Sequence, residues 1–297
     1  MQTTPLKRPA SPPPLKAGRF LLSNLISAAI TVGMPLTLAS WNVNSIRSRL
    51  DHLRRFVEIA QPDVLCLQET KVTDDLFPHL EIEALGYPYR AVKGMKSYNG
   101  TAILSRRPFT SQISTAWCGR DDCRHLSVVM DGDIELHNFY VPAGGDLPDA
   151  EKNPKFAHKL AFLDAMADWG RTIANDGKQR ILVGDLNVAP LETDVWDHKK
   201  LARVITHTPI ERDRLTGVLK AGNWIDAQRR IVPPEEKLFT WWSYRNRNWP
   251  EEDKGRRLDH LWISPALEDR LASATVHRDV RFWEKPSDHA PVVLGLT

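Results

Sequence analysis

Ile181-Leu182-Val183-Gly184-Asp185-Leu186-Asn187 is an apolar run of strand length that stops abruptly in a polar turn. The same arrangement recurs along the chain. Leu36–Trp41 runs into Asn42, and Val64–Leu67 runs into Gln68-Glu69. Residues 134–141 alternate, with Ile134, Leu136, Asn138 and Tyr140 on one face. Two later runs begin with polar residues instead: Asp259-His260 precedes Leu261–Ile263, and Asp288-His289 precedes Pro291–Leu296. In a mixed sheet, ascending strands finish on the edge where descending strands start. These six polar groups are therefore expected to converge on one rim.

Thr101–Leu104 and Leu126–Met130 read as further strands, and helical patterns lie between them. Ser45 is expected to cap a helix bearing Leu50, Leu53, Phe56 and Ala60. Asn153-Pro154 is a cap and first-turn pair for a helix bearing Phe156, Leu160, Leu163 and Ala167. Strands and helices mixed around near-continuous apolar runs indicate an α/β (α+β) fold, with buried sheets covered by helices.

The composition is that of a globular protein: 297 residues, 42% apolar and 26% charged, with a mean hydropathy of −0.38. A net charge of +3 does not by itself point to nucleic acid, since a balanced chain can still present a basic face. No window reaches the roughly 20 apolar residues of a membrane span. Three cysteines cannot build a disulfide framework, which fits a reducing compartment. Residues 1–35 stand apart, with five prolines from Pro5 to Pro14 and no acid before Asp51. They read either as a targeting segment or, more simply, as a dispensable, disordered extension upstream of a start at Met34. Residues 36–297 carry no linker or repeat and read as one catalytic domain.

The expected rim is rich in oxygen: Glu69, Asp185, Asp259 and Asp288, with the amides of Asn42 and Asn187, beside His289 and Tyr140. Hard divalent ions take such ligands. Cys118 and Cys123 have no matching His pair, so a zinc site is not supported. Oxygen ligands with His and carboxylates are the toolkit of phosphoester hydrolysis. Asp288 and His289, as sequence neighbours, do not readily bond to each other, so His289 is expected to be oriented by a carboxylate across the rim. Taken singly, an Asp or Asn after a strand is usually a turn residue. Cys66, Leu163, Trp169 and Trp196 read as packing.

Seven segments then carry a family resemblance: Ser40-Trp41-Asn42-Val43-Asn44, Leu67-Gln68-Glu69-Thr70-Lys71, Asn99-Gly100-Thr101-Ala102-Ile103, Tyr140-Val141-Pro142, Gly184-Asp185-Leu186-Asn187, Arg257-Leu258-Asp259-His260 and Ser287-Asp288-His289-Ala290-Pro291. In this order they resemble the exonuclease III family of apurinic/apyrimidinic endonucleases, within the endonuclease/exonuclease/phosphatase superfamily. The resemblance covers the chain from about Leu36 to its end. It implies a four-layered sandwich, two mixed β-sheets face to face with helices outside. It implies Mg²⁺, with Mn²⁺ as substitute, held by Glu69 with Asn42 and Asp259, and with Asp185, Asn187 and Asp288 as further candidate ligands. Asp185 would activate or align water, or protonate the leaving group. Asn187 would orient Asp185, and Tyr140 and His289 would contact the phosphate with Asp288 in support.

The implied substrate is duplex DNA with abasic sites or 3′ ends, cut by a monomer in the cytoplasm or on a bacterial nucleoid. The sequence departs from the family at Asn44, where animal relatives carry an acid, at Arg256, where they carry an aromatic, and in the loop Ala143–Asp146. Residues 239–249 interleave aromatics with Arg245 and Arg247, and Arg256-Arg257 follow. They read either as a strand with aromatics on both faces or as a DNA-binding wall, in which Trp241 and Leu258 would line the pocket for an abasic sugar. Rival readings are another phosphoesterase of the superfamily, such as an inositol-phosphate phosphatase, a sphingomyelinase or a non-specific deoxyribonuclease, and a non-catalytic DNA-binding relative. Tyr140, where those phosphoesterases usually have His, counts against the first group.

Overall fold

The computed structural model describes residues 34–246 and 248–297. The reading of residues 1–35 falls, Met34 and Pro35 apart, outside the described residues, as does Arg247. Among the described residues fourteen strands are formed: β1 (Leu36–Asn42), β2 (Val64–Gln68), β3 (Tyr89–Met95), β4 (Tyr98–Ser105), β5 (Phe109–Ile113), β6 (His125–Met130), β7 (Ile134–Tyr140), β8 (Arg180–Asp185), β9 (Ile225–Asp226), β10 (Trp241–Trp242), β11 (Gly255–Arg256), β12 (Asp259–Ile263), β13 (Leu271–Val276) and β14 (Val292–Leu296).

Two six-stranded sheets run in the orders β13-β14-β1-β2-β4-β3 and β5-β6-β7-β8-β12-β9, and β10 pairs with β11 in a short ribbon. Each sheet has the same centre. A parallel pair, β1/β2 in one and β7/β8 in the other, is flanked on both sides by antiparallel neighbours.

Strand periodicity sorts the side chains into layers. The inward faces, Leu36 and Leu38, Val64 and Cys66, Leu136, Ile181 and Val183, Leu261 and Ile263, Val292 and Leu294, form one buried core between the sheets. The outward face of the first sheet, with Ala39, Trp41, Leu65 and Leu67, packs on Leu53, Phe56 and Val57 of the helix Leu50–Ala60. The outward face of the second, with Phe139, Leu182 and Trp262, packs on Phe162, Leu163 and Met166 of the helix Pro154–Ile173 and on Leu215 and Val218 of the helix Pro209–Ala221. Helix, sheet, sheet and helix stack as the expected four layers. Asn153 does cap the long helix, its Oδ1 accepting from Lys155 N–H at 3.0 Å.

Ser45 does not cap the helix that follows it. The helix begins only at Leu50, and Ser45 has φ of 89°. Its N–H donates to the carbonyl of Glu69 at 2.8 Å, so the segment is spent on binding the loop after β1 to the loop after β2. That contact brings Asn42, Asn44 and Glu69 together.

Toward one end of the interlayer the core changes character in steps. Past the hydrocarbon lie Ser40, Gln68 and Asn138, all fully buried. Gln68 Nε2 donates to Ser40 Oγ at 3.0 Å and to Asn138 Oδ1 at 2.7 Å. Asn138 Nδ2 crosses to the other sheet and donates to the carbonyls of Leu67 and Ala102 at 3.0 and 2.9 Å. Replacement Asn138→Leu would strip a donor from both carbonyls and an acceptor from Gln68. We expect a loss of about 3 kcal/mol, since each buried polar group left unpaired costs roughly 1–3 kcal/mol. Urea denaturation at unchanged slope measures it, and a loss below about 1 kcal/mol would show that water replaces these bonds.

Candidate active site

Beyond this amide tier, the same inward positions carry the polar rim. Registry does the placing: Asn42 is paired with Gln68, Tyr140 with Asp185, and Asp185 with Asp259. The close approach of β7 and β8 requires Gly184, because a Cβ there would lie 1.9 Å from the Phe139 carbonyl oxygen. Just past the strands, Glu69 (φ 52°) and Asn187 (φ 55°) adopt left-handed backbone, which side chains other than Gly rarely hold without outside support. Both have that support. Glu69 Oε1 accepts from Asn42 Nδ2 at 2.9 Å and Tyr140 OH at 2.8 Å, and Oε2 pairs with Lys71 Nζ at 2.7 Å. Asn187 N–H and Nδ2 donate to Asp185 at 3.0 and 3.1 Å, and Nδ2 also reaches the Val141 carbonyl.

The rim residues fall into two hydrogen-bonded groups. One holds Glu69, Tyr140, Lys71, Asn44, Asp288 and Trp241. Lys71 Nζ donates to Asn44 Oδ1 at 2.6 Å, Asn44 Nδ2 donates to Asp288 at 3.1 Å, and Trp241 Nε1 donates to Asp288 at 2.9 Å. The other holds Asp185, His289, Asp259 and Thr240. His289 Nδ1 lies 2.9 Å from Asp259 Oδ2, which also accepts from Thr240 Oγ1 at 2.6 Å. His289 Nε2 faces Asp185 Oδ2 at 3.6 Å. Asn42 joins the groups, its Nδ2 donating to Glu69 and to Asp185 Oδ2, each at 2.9 Å. Every catalytic candidate but Asp288 is buried, and Asp288 is half-buried. His289 is indeed oriented by the distant Asp259 and not by its neighbour. Lys71, Asn44 and Thr240 carry contacts that the sequence reading did not assign.

These surroundings set the charges. Burial opposes the His289 imidazolium, but Asp259 and Asp185 overcome it and raise the ring to about 10. Burial lifts Asp185 to about 7, with Asp259 and Glu69 adding to the rise and His289 and Asn42 opposing it. Burial would also lift Glu69, yet Lys71, Asn42 and Tyr140 hold it below the usual range. Tyr140 is pushed well upward by burial and by Glu69 and Asp185, so its phenol keeps its proton as a donor.

Beside the rim lies a cleft of about 480 Å³, lined by Glu69, Tyr140, Asp185, Asn187, His289 and Asp288. Val204, Ile205, Trp241 and Leu258 give it an apolar wall that meets the rim where Trp241 bonds Asp288, and Arg245 and Arg256 also line it. Arg245 is exposed, with no ion pair formed to it among the described residues. Arg256 stacks over Trp241 at 5.1 Å and donates to Ile205 O and Thr206 Oγ1. Of the aromatic segment, Trp242 is core and Tyr244 is exposed, so the strand is only two residues long.

Residues 39–289 match the Endonuclease/Exonuclease/phosphatase family. The chain belongs to that family. Within it, exodeoxyribonuclease III of Haemophilus influenzae is 28% identical over 264 residues, covering 85% of this chain and 97% of its own. An AP endonuclease structure from Archaeoglobus fulgidus superposes with a TM-score of 0.81 at 31% identity, covering 88% of this chain and 99% of its own. A 3′ phosphatase from Neisseria bound to product DNA hairpin superposes equally well, TM-score 0.81 at 30% identity, with coverage of 88% and 99%. The resemblance to exonuclease III and the AP endonucleases is thereby borne out, and this member of the family groups with its nucleases.

Whether the residues fit the implied divalent ion can be judged from the donor set. It is carboxylate and amide oxygen throughout, the set a hard cation takes. Lys71 already places an ammonium between Glu69 Oε2 and Asn44 Oδ1, so oxygens here surround a cation. Asp259 Oδ1 is buried without a partner. These observations fit a metal. The implied ligands are nevertheless divided, Glu69 in one group and Asp259 in the other. Asn42 also turns its amide nitrogen to Glu69, its Oδ1 accepting from Asn44 N–H. Asp185, Asp259 and His289 bring ligand atoms within 4.8 Å of one another.

The His289 pairing has a direct readout. In EDTA-treated protein, the imidazole nitrogen resonances should stay those of the protonated ring past pH 8, and Asp259→Asn should move the titration back toward 6.5. A His raised on folding contributes stability that is full below its unfolded value of 6.5 and is lost as pH rises toward about 10. Titration near 6.5 in the unaltered protein would contradict the pairing.

Proposed function

We propose that this protein is a Mg²⁺-dependent DNA repair nuclease that hydrolyses the phosphodiester 5′ to abasic sites in duplex DNA. It also digests and trims 3′ ends. The carrying observation is the convergence, on one buried rim beside an apolar wall, of the Asp185 carboxylate, the His289 imidazole 3.6 Å from it and the Tyr140 phenol. Asp185 accepts a proton from, or aligns, the attacking water, and Asn187 holds Asp185 in place. The water oxygen bonds to phosphorus, the bond from phosphorus to the 3′ oxygen breaks, and that oxygen takes a proton from protonated Asp185 or from solvent water, so that the products are a 3′-hydroxyl and a 5′-phosphate. His289 and Tyr140 donate to the non-bridging oxygens as charge grows on them. Glu69 with Asn42 and Asp259, and Asp185, Asn187 and Asp288 as further candidate ligands, would hold Mg²⁺ or Mn²⁺, which would supply further positive charge to the phosphate.

Trp241 and Leu258 form the surface against which a sugar lacking its base can rest, while an intact nucleotide must also unstack its base. Arg245 and Arg256 supply backbone contacts. Tyr140 and the apolar wall favour this reading over an inositol-phosphate phosphatase. No helix among the described residues is long and apolar enough to cross a membrane. A monomer acting in the cytoplasm, or on a nucleoid, suits this reading.

The test compares duplexes carrying a single abasic analogue with blunt and recessed 3′ ends, in EDTA and then in Mg²⁺. Incision 5′ to the lesion after Mg²⁺ is expected, and phosphate release from inositol phosphates without nicking would overturn the reading. Glu69→Ala should lose most turnover on every DNA. Trp241→Ala should lose about a hundredfold in kcat/KM on the abasic duplex, about 2.7 kcal/mol, but under about fivefold on frayed 3′ ends, and Trp241→Phe should retain both. Equal losses on the two substrates would make Trp241 packing alone.

A further inference from the structure

The helix Pro154–Ile173 carries Lys159 on its buried face, and the side chain is fully inaccessible, as is that of Glu211 at the start of the helix Pro209–Ala221. Removing two charges from water is costly, and apolar residues of the same volume often serve stability as well. What distinguishes this pair is where its hydrogen bonds go. Lys159 Nζ donates to the carbonyl of Asn187 at 2.7 Å, to the carbonyl of Ala143 at 3.3 Å, and to Glu211 Oε1. Glu211 accepts from Thr206 N–H with both oxygens at 3.0 Å, and from Thr208 N–H and Oγ1 at 3.1 and 2.6 Å. Three loops thus end on one ion pair: the loop after β7, the loop after β8, and residues 205–208.

Each of these loops lines the cleft. Asn187 grips Asp185 with its N–H and side chain, and Lys159 fixes its carbonyl from the opposite side. That residue sits at φ 55°, a backbone state that needs holding. Gly144 (φ +93°) lets the first loop lie on the stem of Lys159, because a Cβ there would meet Cδ at 3.0 Å. Ile205 and Thr206 are held from the far side by Arg256, which stacks on Trp241.

We infer that the buried Lys159–Glu211 pair is a positioning device, which fixes Asn187 and through it Asp185 in a set relation to the apolar wall at Ile205. This rests on the nuclease reading above. Neither residue touches substrate in it.

The test uses the full chain and the paired variant Lys159→Met with Glu211→Gln, which leaves no lone buried charge. Hydrogen exchange at the Asn187 backbone amide should speed at least tenfold, while exchange at Leu38 in the central strand stays unchanged. On the abasic duplex, kcat should fall about 30- to 100-fold with KM within about threefold, because small misplacement of a reacting group costs on that order. In an Asp185→Asn background the same pair of changes should cost less than about threefold further, since the positioned carboxylate is already gone. Unchanged Asn187 exchange, an intact kcat, or an equal loss in the Asp185→Asn background would each overturn the inference. Should the paired variant fail to fold, Glu211→Gln alone keeps the acceptor but removes the charge; faster Asn187 exchange supports the clamp and unchanged exchange refutes it. If the unaltered chain cuts no DNA, the nuclease reading fails, while the exchange result still decides the clamp.

Discussion

Registry between strands is the constraint on which the rest of this molecule depends. Side chains alternate with period two, so slipping β8 by one residue against β7 or β12 would turn Ile181, Val183 and Asp185 away from the interlayer together. The register that buries Leu136 and Leu261 also sets Asp185 between Tyr140 and Asp259. In the other sheet, the register that buries Leu38 and Val64 sets Asn42 beside Gln68. Core formation and site assembly are therefore one event, enforced by hydrocarbon burial and not by attraction among the polar groups, which would otherwise repel or prefer water.

The sequence revealed the interior of this structure better than its margins. The readings at 36–41, 64–67, 101–104, 126–130, 181–183 and 261–263 lie within interior strands, whose two covered faces demand near-continuous apolar residues. All four edge strands, β3, β5, β9 and β13, escaped that reading. Phe109–Ile113 and Leu271–Val276 show why: an edge strand with an exposed face can carry Thr, Ser and Gln freely, which erases the pattern.

The site was legible to a similar depth. The polar strand ends marked Asn42, Tyr140, Asp185 and Asp259, and the impossibility of a neighbourly Asp288–His289 bond pointed His289 across the rim. Contacts made by residues without a strand to announce them stayed hidden. Thr240 on Asp259, Lys71 between Glu69 and Asn44, and Val204 with Ile205 in the wall depend on loops whose paths no periodicity encodes. Ser45 misled because a serine before an apolar helix looks like a cap, whereas a long-range bond to Glu69 claims its backbone.

The amide tier of Ser40, Gln68 and Asn138 has a consequence of its own. It stands between hydrocarbon and carboxylates, so polarisability rises stepwise along the interlayer, with no abrupt boundary between oil and charge. The Asn138 amide that follows the hydrocarbon is already turned by bonds to both sheets. The tier also ties the two ends of the interlayer together. Ser40, Gln68 and Asn138 share strands with Leu38, Val64 and Leu136 on one side, and Ser40 and Asn138 share them with Asn42 and Tyr140 on the other, so a volume change in the hydrocarbon travels to the rim along the strands that set its register.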